Sequence, residues 1–284
     1  MMTAAVRKNS ARLSCPDGLP IGLDLFVPEG TPRKPPVTVV CHGFKGFKDW
    51  GFFAPLAERL ATGGRAVAVF DFSHNGVGDR PGEFDRLDLF GKQTMSRHVQ
   101  DLGTVLDALD GEFGRAAGLP CERKASIVGH SLGGAVAILR ASEDGRVVSV
   151  ATINGCSHLN RVPAEEAERA KREGKILVRN TRTGQDMPLE RGWFDDIARH
   201  DLETAATQVF VPALVLQGAR DESVTPDEGA SLAGWIAGSR LVTVPDADHV
   251  FGARHPFAGW TPALERVARE LDAFLPSVER TGGL

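Results

Sequence analysis

Short apolar runs alternate with longer stretches of helical spacing along most of the chain. Val37–Cys41, Ala66–Phe70, residues 124–128, Val147–Ile153, residues 213–217 and Arg240–Val244 are the short runs. Those that are continuously apolar read as strands buried on both faces. Between them, residues 53–61, 95–109, 135–141, 227–237 and 262–274 read as helices. In residues 95–109, Val99, Leu102, Leu106 and Leu109 share one face. Such alternation implies βαβ crossovers, hence an α/β fold whose mainly parallel sheet is covered by helices on both faces. Residues 12–15 and 21–27 flank an Asp17-Gly18 turn signal and predict an antiparallel hairpin at the first edge.

The rhythm fails between Cys156 and Thr207, where no strand is apparent and residues 164–175 are densely charged. That stretch is too long for an ordinary connection. It predicts a helical cap insertion at residues 156–207, dividing the core into residues 1–155 and 208–284. A solvated helical excursion without function is the alternative. The tail, residues 277–284, is expected to fray.

Composition narrows the classes. The 284 residues carry 33 basic and 37 acidic side chains, a net charge of −4. A general nucleic-acid binder would need a basic face, so nucleic acid is set aside as a partner. No apolar run approaches the roughly 18–20 residues that span a bilayer, so no membrane association is expected. The first twenty residues lack the apolar core of a secretory signal, which points to the cytoplasm. Cys15, Cys41, Cys121 and Cys156 are widely spread without a CxxC pair, so they predict free, mostly buried thiols. There is no HExxH and no Cys/His cluster of zinc spacing, so no metal is expected. Tyrosine is absent, so pocket polarity must come from backbone groups, Ser, Thr, Asn, His and Arg.

The sharpest chemical signal is Gly129-His130-Ser131-Leu132-Gly133-Gly134, a G-x-S-x-G pattern between a predicted strand and a predicted helix. A serine on such a turn is exposed in a strained conformation, and the following helix offers free N–H groups and its positive dipole end. Serine is a weak nucleophile alone and needs a base oriented by a third group. Asp221 just after residues 213–217, and His249 after Arg240–Val244, fill the acid and base positions; Glu222 and His255 are the alternatives. For an oxyanion hole, the N–H groups of Leu132 and Phe44 are expected, the latter from the loop His42-Gly43-Phe44-Lys45-Gly46. His42 is expected to pin that loop. Phe47, His130, Trp193 and Arg182 are the expected substrate contacts, with Arg182 able to receive an anionic group or to bridge cap and core. Residues 76–82 imitate a dinucleotide loop, but Pro81 stands where glycine is required. His74 is expected at the site's rim, and Cys156 nearby as a passive thiol.

The hairpin start, His42-Gly43, the glycine-flanked Ser131, Asp221 and His249, in that chain order, resemble the α/β-hydrolase superfamily. Within it, the stretch HGFKGFKDW at residues 42–50 and the Asp71-Phe72…Gly76 loop look like bacterial carboxylesterases related to feruloyl and cinnamoyl esterases. They are also similar to serine aminopeptidase-like and dienelactone-hydrolase-like groups. The resemblance implies hydrolysis of a small-molecule carboxylic ester through an acyl-enzyme, without a cofactor. Thioesterase or small-peptidase activity is the neighbouring reading, and a non-catalytic ligand-binding protein the reading of another class. A homodimer is compatible with the sequence and not implied by it.

Overall fold

The computed structural model describes residues 5–30, 35–80, 82–119 and 124–281. The chain opens with strands β1 (Val6–Ser14) and β2 (Pro20–Pro28), an antiparallel hairpin in register from Val6↔Pro28 to Ser14↔Pro20. Then come β3 (Val37–Cys41), α1 (Phe53–Thr62) and β4 (Ala66–Phe70). Helices α2 (Leu87–Gly91), α3 (Met95–Asp110) and α4 (Glu112–Ala116) precede β5 (Ala125–His130), α5 (Leu132–Glu143) and β6 (Val147–Ile153). An excursion follows: α6 (Ala164–Glu173), β7 (Lys175–Arg179), β8 (Asp186–Glu190), α7 (Arg191–Ile197) and α8 (Leu202–Thr207). The chain then completes the core with β9 (Ala213–Gly218), α9 (Pro226–Trp235), β10 (Arg240–Val244) and α10 (Pro262–Thr281).

Eight strands form one sheet in the order β1-β2-β4-β3-β5-β6-β9-β10. From β4 to β10 the neighbours run parallel, and the β1–β2 hairpin joins antiparallel at one edge. Side chains alternate across the sheet. Val37, Val39, Cys41, Ala66, Ala68, Phe70 and Ile127 pack into one apolar cluster with α3 and α5. Val40, Val67, Val69 and Val128 point the other way, into a second cluster with α1 and α10. Every residue of β3, β4, β5 and β9 is buried, which explains their continuous apolar reading in the sequence.

Two expectations are corrected. The excursion after β6 is not all helical: β7 and β8 pair antiparallel from Lys175↔Glu190 to Arg179↔Asp186. Ile176 with Met187 and Leu189 turn inward while charged neighbours face out, a two-residue period hidden by the density of charge. Nor does helix end before the tail. α10 continues to Thr281, through Pro276, on the strength of an apolar face that includes Leu264, Val267, Leu271 and Leu275. Smaller shifts affect ends: β1 begins at Val6, and α5 begins at Leu132 rather than residue 135, so Ser131 alone separates it from β5. Cys15, Cys41 and Cys156 are free and buried; Cys121 lies outside the described residues.

Candidate active site

In a parallel sheet, loops at the carboxyl ends of the strands converge on one edge, where ligands bind. Here those ends carry residues 42–46 after β3, Ser131 after β5, Asn154 and Cys156 after β6, Asp221 after β9 and His249 after β10. Ser131 adopts φ 55° and ψ −122°, a conformation unfavourable for a residue with a side chain. It is held there by its N–H on Ile153 O at 3.0 Å and by Gly134 N–H on its own carbonyl at 2.9 Å. Two glycines make the turn sterically feasible. A Cβ on Gly129 would meet Gly133 O at 2.2 Å, and one on Gly133 would meet Cys41 O at 2.5 Å.

His249 Nδ1 donates to Asp221 Oδ2 at 2.7 Å. The other oxygen, Oδ1, accepts from Ser223 N–H and Val224 N–H, each at 2.8 Å. The Asp221 side chain is fully buried, and its geometry is therefore fixed by three donors. The His249 ring lines the same cavity as Ser131. Among the described residues no hydrogen bond joins Ser131 Oγ to that ring; its contact is Cys156 Sγ at 3.9 Å. Such bonds often tighten only when substrate binds. Burial pushes the Cys156 thiol up to about 11, in keeping with a passive thiol.

The backbone of His249 is anchored by residues on the neighbouring strand ends. Its carbonyl accepts from Asn154 Nδ2 at 3.0 Å and from His130 Nε2 at 2.9 Å. Asn154, at φ 47°, also accepts from Gly218 N–H at 2.7 Å, tying β6 to β9. Sequence reading missed Asn154; the Asn-Gly pair after a strand was its only signal. His130 does line the cavity, yet its Nε2 is committed to the His249 carbonyl. Burial, with the adjacent His249, holds its pKa down to about 3, so it stays neutral.

His42 pins its loop as expected from the sequence: Nδ1 donates to Gly43 O at 2.9 Å and Nε2 accepts from Phe72 N–H at 3.3 Å. Burial lowers this imidazole to about 4, which suits the neutral form those two bonds require. Phe44 and Leu132 both line the cavity. Phe47 does not. It is buried among Phe84 and His255, with ring centroids 6.1 and 5.1 Å away. His255 is likewise absent from the cavity wall, its Nδ1 accepting from Gly51 N–H at 3.1 Å. Glu222 is exposed. His74 is buried beside Ser73, away from the rim, and the loop at residues 76–82, whose Pro81 lies outside the described residues, does not line the cavity.

The cavity measures about 760 Å³. Its floor is the elbow at Ser131; its walls include Trp50, Phe53, Trp193 and Leu189, and β7 with the following turn supplies Leu177 to Arg182. Trp193 packs on Phe44 at 6.0 Å. Arg182 lies over the Trp50 ring at 4.9 Å and donates to Lys45 O, while Lys45 Nζ donates to Arg179 O at 2.8 Å. The excursion thus roofs the site and is clasped to the loop after β3. At its start it is also tied to α9: Arg161 donates to both oxygens of buried Glu228 at 2.8 Å.

A model of the alpha/beta hydrolase family matches residues 38–273 of this chain. The chain belongs to that family. No curated protein sequence matches it. Among solved structures, this alpha/beta hydrolase is similar to Est1E from Butyrivibrio proteoclasticus, at 18% identity and a TM-score of 0.71, covering 95% of this chain and 99% of that one. Est1E with ferulic acid bound gives 19% identity and a TM-score of 0.72 over the same shares. The esterase domain of a Rhodothermus marinus protein gives 20% identity and a TM-score of 0.66, covering 94% of this chain and 97% of that one. At such identities the likeness is one of fold. Among the described residues no helix is long and apolar enough to cross a membrane, and no cluster of three or more His, Cys, Asp or Glu could hold a metal ion.

Proposed function

We propose that this hydrolase cleaves carboxylic esters through an acyl-enzyme, with Ser131 as nucleophile, His249 as general base and then acid, and Asp221 as the orienting carboxylate. The observation that carries this reading is the 2.7 Å His249–Asp221 bond, which fixes an imidazole in the wall of the cavity floored by a strained serine. With Nδ1–H committed to Asp221, the unprotonated Nε2 is the atom left to take a proton. Ser131 Oγ attacks the acyl carbon as His249 Nε2 removes its proton. The tetrahedral oxyanion is received by the N–H groups of Phe44 and Leu132. Collapse returns the proton from His249 to the departing alkoxide and leaves the acyl group on Ser131. Water, deprotonated by the same imidazole, then releases the acid and restores the serine. Similarity in fold to Est1E and to the Rhodothermus esterase domain supports an ester over other acyl bonds.

The test is hydrolysis of p-nitrophenyl esters from acetate to decanoate, with a hydroxycinnamate ester beside them, by wild type and Ser131→Ala. Ser131-dependent turnover is expected, with loss of about 10⁴-fold or more in the variant. Wild-type rates in Ser131→Ala would overturn the mechanism. No ester turnover together with intact labelling by a serine-directed phosphonate would move the reaction to thioesters or peptides. Absence of both would favour a ligand-binding protein.

A further inference from the structure

The roof of the cavity carries more positive charge than its own acids balance. Lys45, Arg161, Arg179 and Arg182 all line it, against Glu166 as the single acidic lining residue among those described. Two of the cations have carboxylate partners. Arg161 sits on Glu228, and Arg179 on Asp186 at 3.0 Å. Lys45 and Arg182 have none within ion-pair distance among the described residues. They are held instead by main-chain carbonyls, Lys45 on Arg179 O and Arg182 on Lys45 O, and by the faces of Phe44 and Trp50 at 5.4 and 4.9 Å.

Arg182 is exposed and Lys45 half-buried, so both cations can be reached from solvent. Like charges are drawn together by bonds each makes to the other's segment, with no acid between them. Burial, and then the charge of Arg182, lowers the pKa of Lys45, and burial lowers that of Arg182. Each cation uses one N–H on a carbonyl, so most of its donors remain. A planar guanidinium edge beside an ammonium matches the lone pairs of a carboxylate.

We infer that the substrate is an ester bearing a free carboxylate, received by Lys45 and Arg182 at the roof while its acyl carbon reaches Ser131. This deepens the esterase reading and rests on it. The carboxylate can belong to the acyl half or to the alcohol half of the ester, and matched pairs separate the two. The first pair is p-nitrophenyl hydrogen adipate against p-nitrophenyl methyl adipate; the second is 4-acetoxybenzoate against its methyl ester.

In wild type, the anionic member of one pair is expected to show kcat/KM at least about tenfold above its neutral twin, the effect of one or two charged hydrogen bonds. Arg182→Gln and Lys45→Met are each expected to bring that ratio close to one, mainly through KM. Arg191→Gln, which removes an exposed cation paired with Asp195 on the outer surface of the roof, is expected to preserve it. Equal or better turnover of the neutral member in both pairs overturns the inference, as does a ratio unchanged in both cavity variants. Calorimetric titration with monomethyl adipate and 4-hydroxybenzoate reads the anion site without catalysis. Binding lost in Arg182→Gln, with no ester cleaved by wild type, would leave the anion site standing and remove the hydrolase mechanism. Ser131-dependent cleavage without charge preference would do the reverse.

Discussion

Replacing Asp221 with asparagine tests the site at its most constrained point. Oδ1 of Asp221 receives two backbone N–H groups at 2.8 Å, so an asparagine must turn its carbonyl oxygen toward Ser223 and Val224. Its amide NH₂ then faces His249 Nδ1 at the place where the carboxylate oxygen now accepts at 2.7 Å. Two donors cannot meet, so the imidazole shifts its proton to Nε2 and presents Ser131 with a donor instead of a base. Loss of the correct tautomer is expected to lower kcat by about 10³–10⁴. KM should change little, because Asp221 does not line the cavity. Three charge-assisted bonds become neutral or are lost, a destabilisation of about 2 kcal/mol. For a chain of this size that is a fall of roughly 5 °C in Tm. Kinetics on p-nitrophenyl acetate beside a thermal melt measure both. A folded Asp221→Asn protein with kcat within tenfold of wild type would refute the reasoning, since Asp221 would then not set the protonation of the base.

Three further outcomes are expected. Glu228→Ala removes the buried carboxylate that holds Arg161, Ser157 N–H and Thr225 N–H, and should cost about 3 kcal/mol in urea unfolding; a change under 1 kcal/mol would mean that the foot of the roof is not anchored there. Gly129→Ala places a Cβ 2.2 Å from a main-chain oxygen, so it should destabilise by about 1–3 kcal/mol or more and lower activity together with it; an active protein with an unchanged melt would contradict that contact. Asp101, buried and bonded to Ser73 N–H and Oγ, has its pKa raised by burial to about 7. Below pH 4 it is protonated in both states. Between about pH 4 and 7 only the unfolded chain ionises, so this contribution to stability is lost as pH rises. Relative to Asp101→Asn, wild type should therefore lose up to a few kcal/mol across that window, and parallel urea curves at pH 4, 5.5 and 8 would contradict the burial.

Three strands of the core were legible because they are buried on both faces: Val37–Cys41, Ala66–Phe70 and Val147–Ile153 begin and end in the structure where their apolar runs do. Arg240–Val244, an edge strand exposed over most of its length, was legible instead from its run of Leu, Val and Thr. The elbow at Ser131 was legible because crowding by neighbouring backbone demands glycine on either side, and that demand leaves a mark in sequence. Asp221 and His249 could be chosen from their places after strand ends. What sequence could not carry is pairing through space. The β7–β8 hairpin buries only Ile176, Met187 and Leu189 within ten strand residues, so charge masks its period. Phe44 and Phe47 are equivalent in a linear reading; which one faces the cavity depends on Phe84 and His255, distant along the chain. Asn154 supports His249 through its main chain, and a bond to a backbone carbonyl has no partner residue type to betray it.

The roof leaves the core after β6 and returns before β9, and these two strands are themselves hydrogen-bonded neighbours from Val150↔Ala213 to Ile153↔Leu216. The two ends of some fifty residues are therefore sewn together by the sheet. Such a segment can be lengthened, shortened or exchanged as a cassette without loosening the strands that hold the serine and the histidine. Recognition and bond cleavage are thereby free to diverge at different speeds. A graft would have to respect the seams to the core, among them Arg161 on Glu228, β7 and its following turn on Lys45, Asp196 on Ser96 and Gln185 on the Phe84 carbonyl. The second seam reaches the loop beside Phe44. A new roof would therefore have to take hold of Lys45 as well as admit its own ligand.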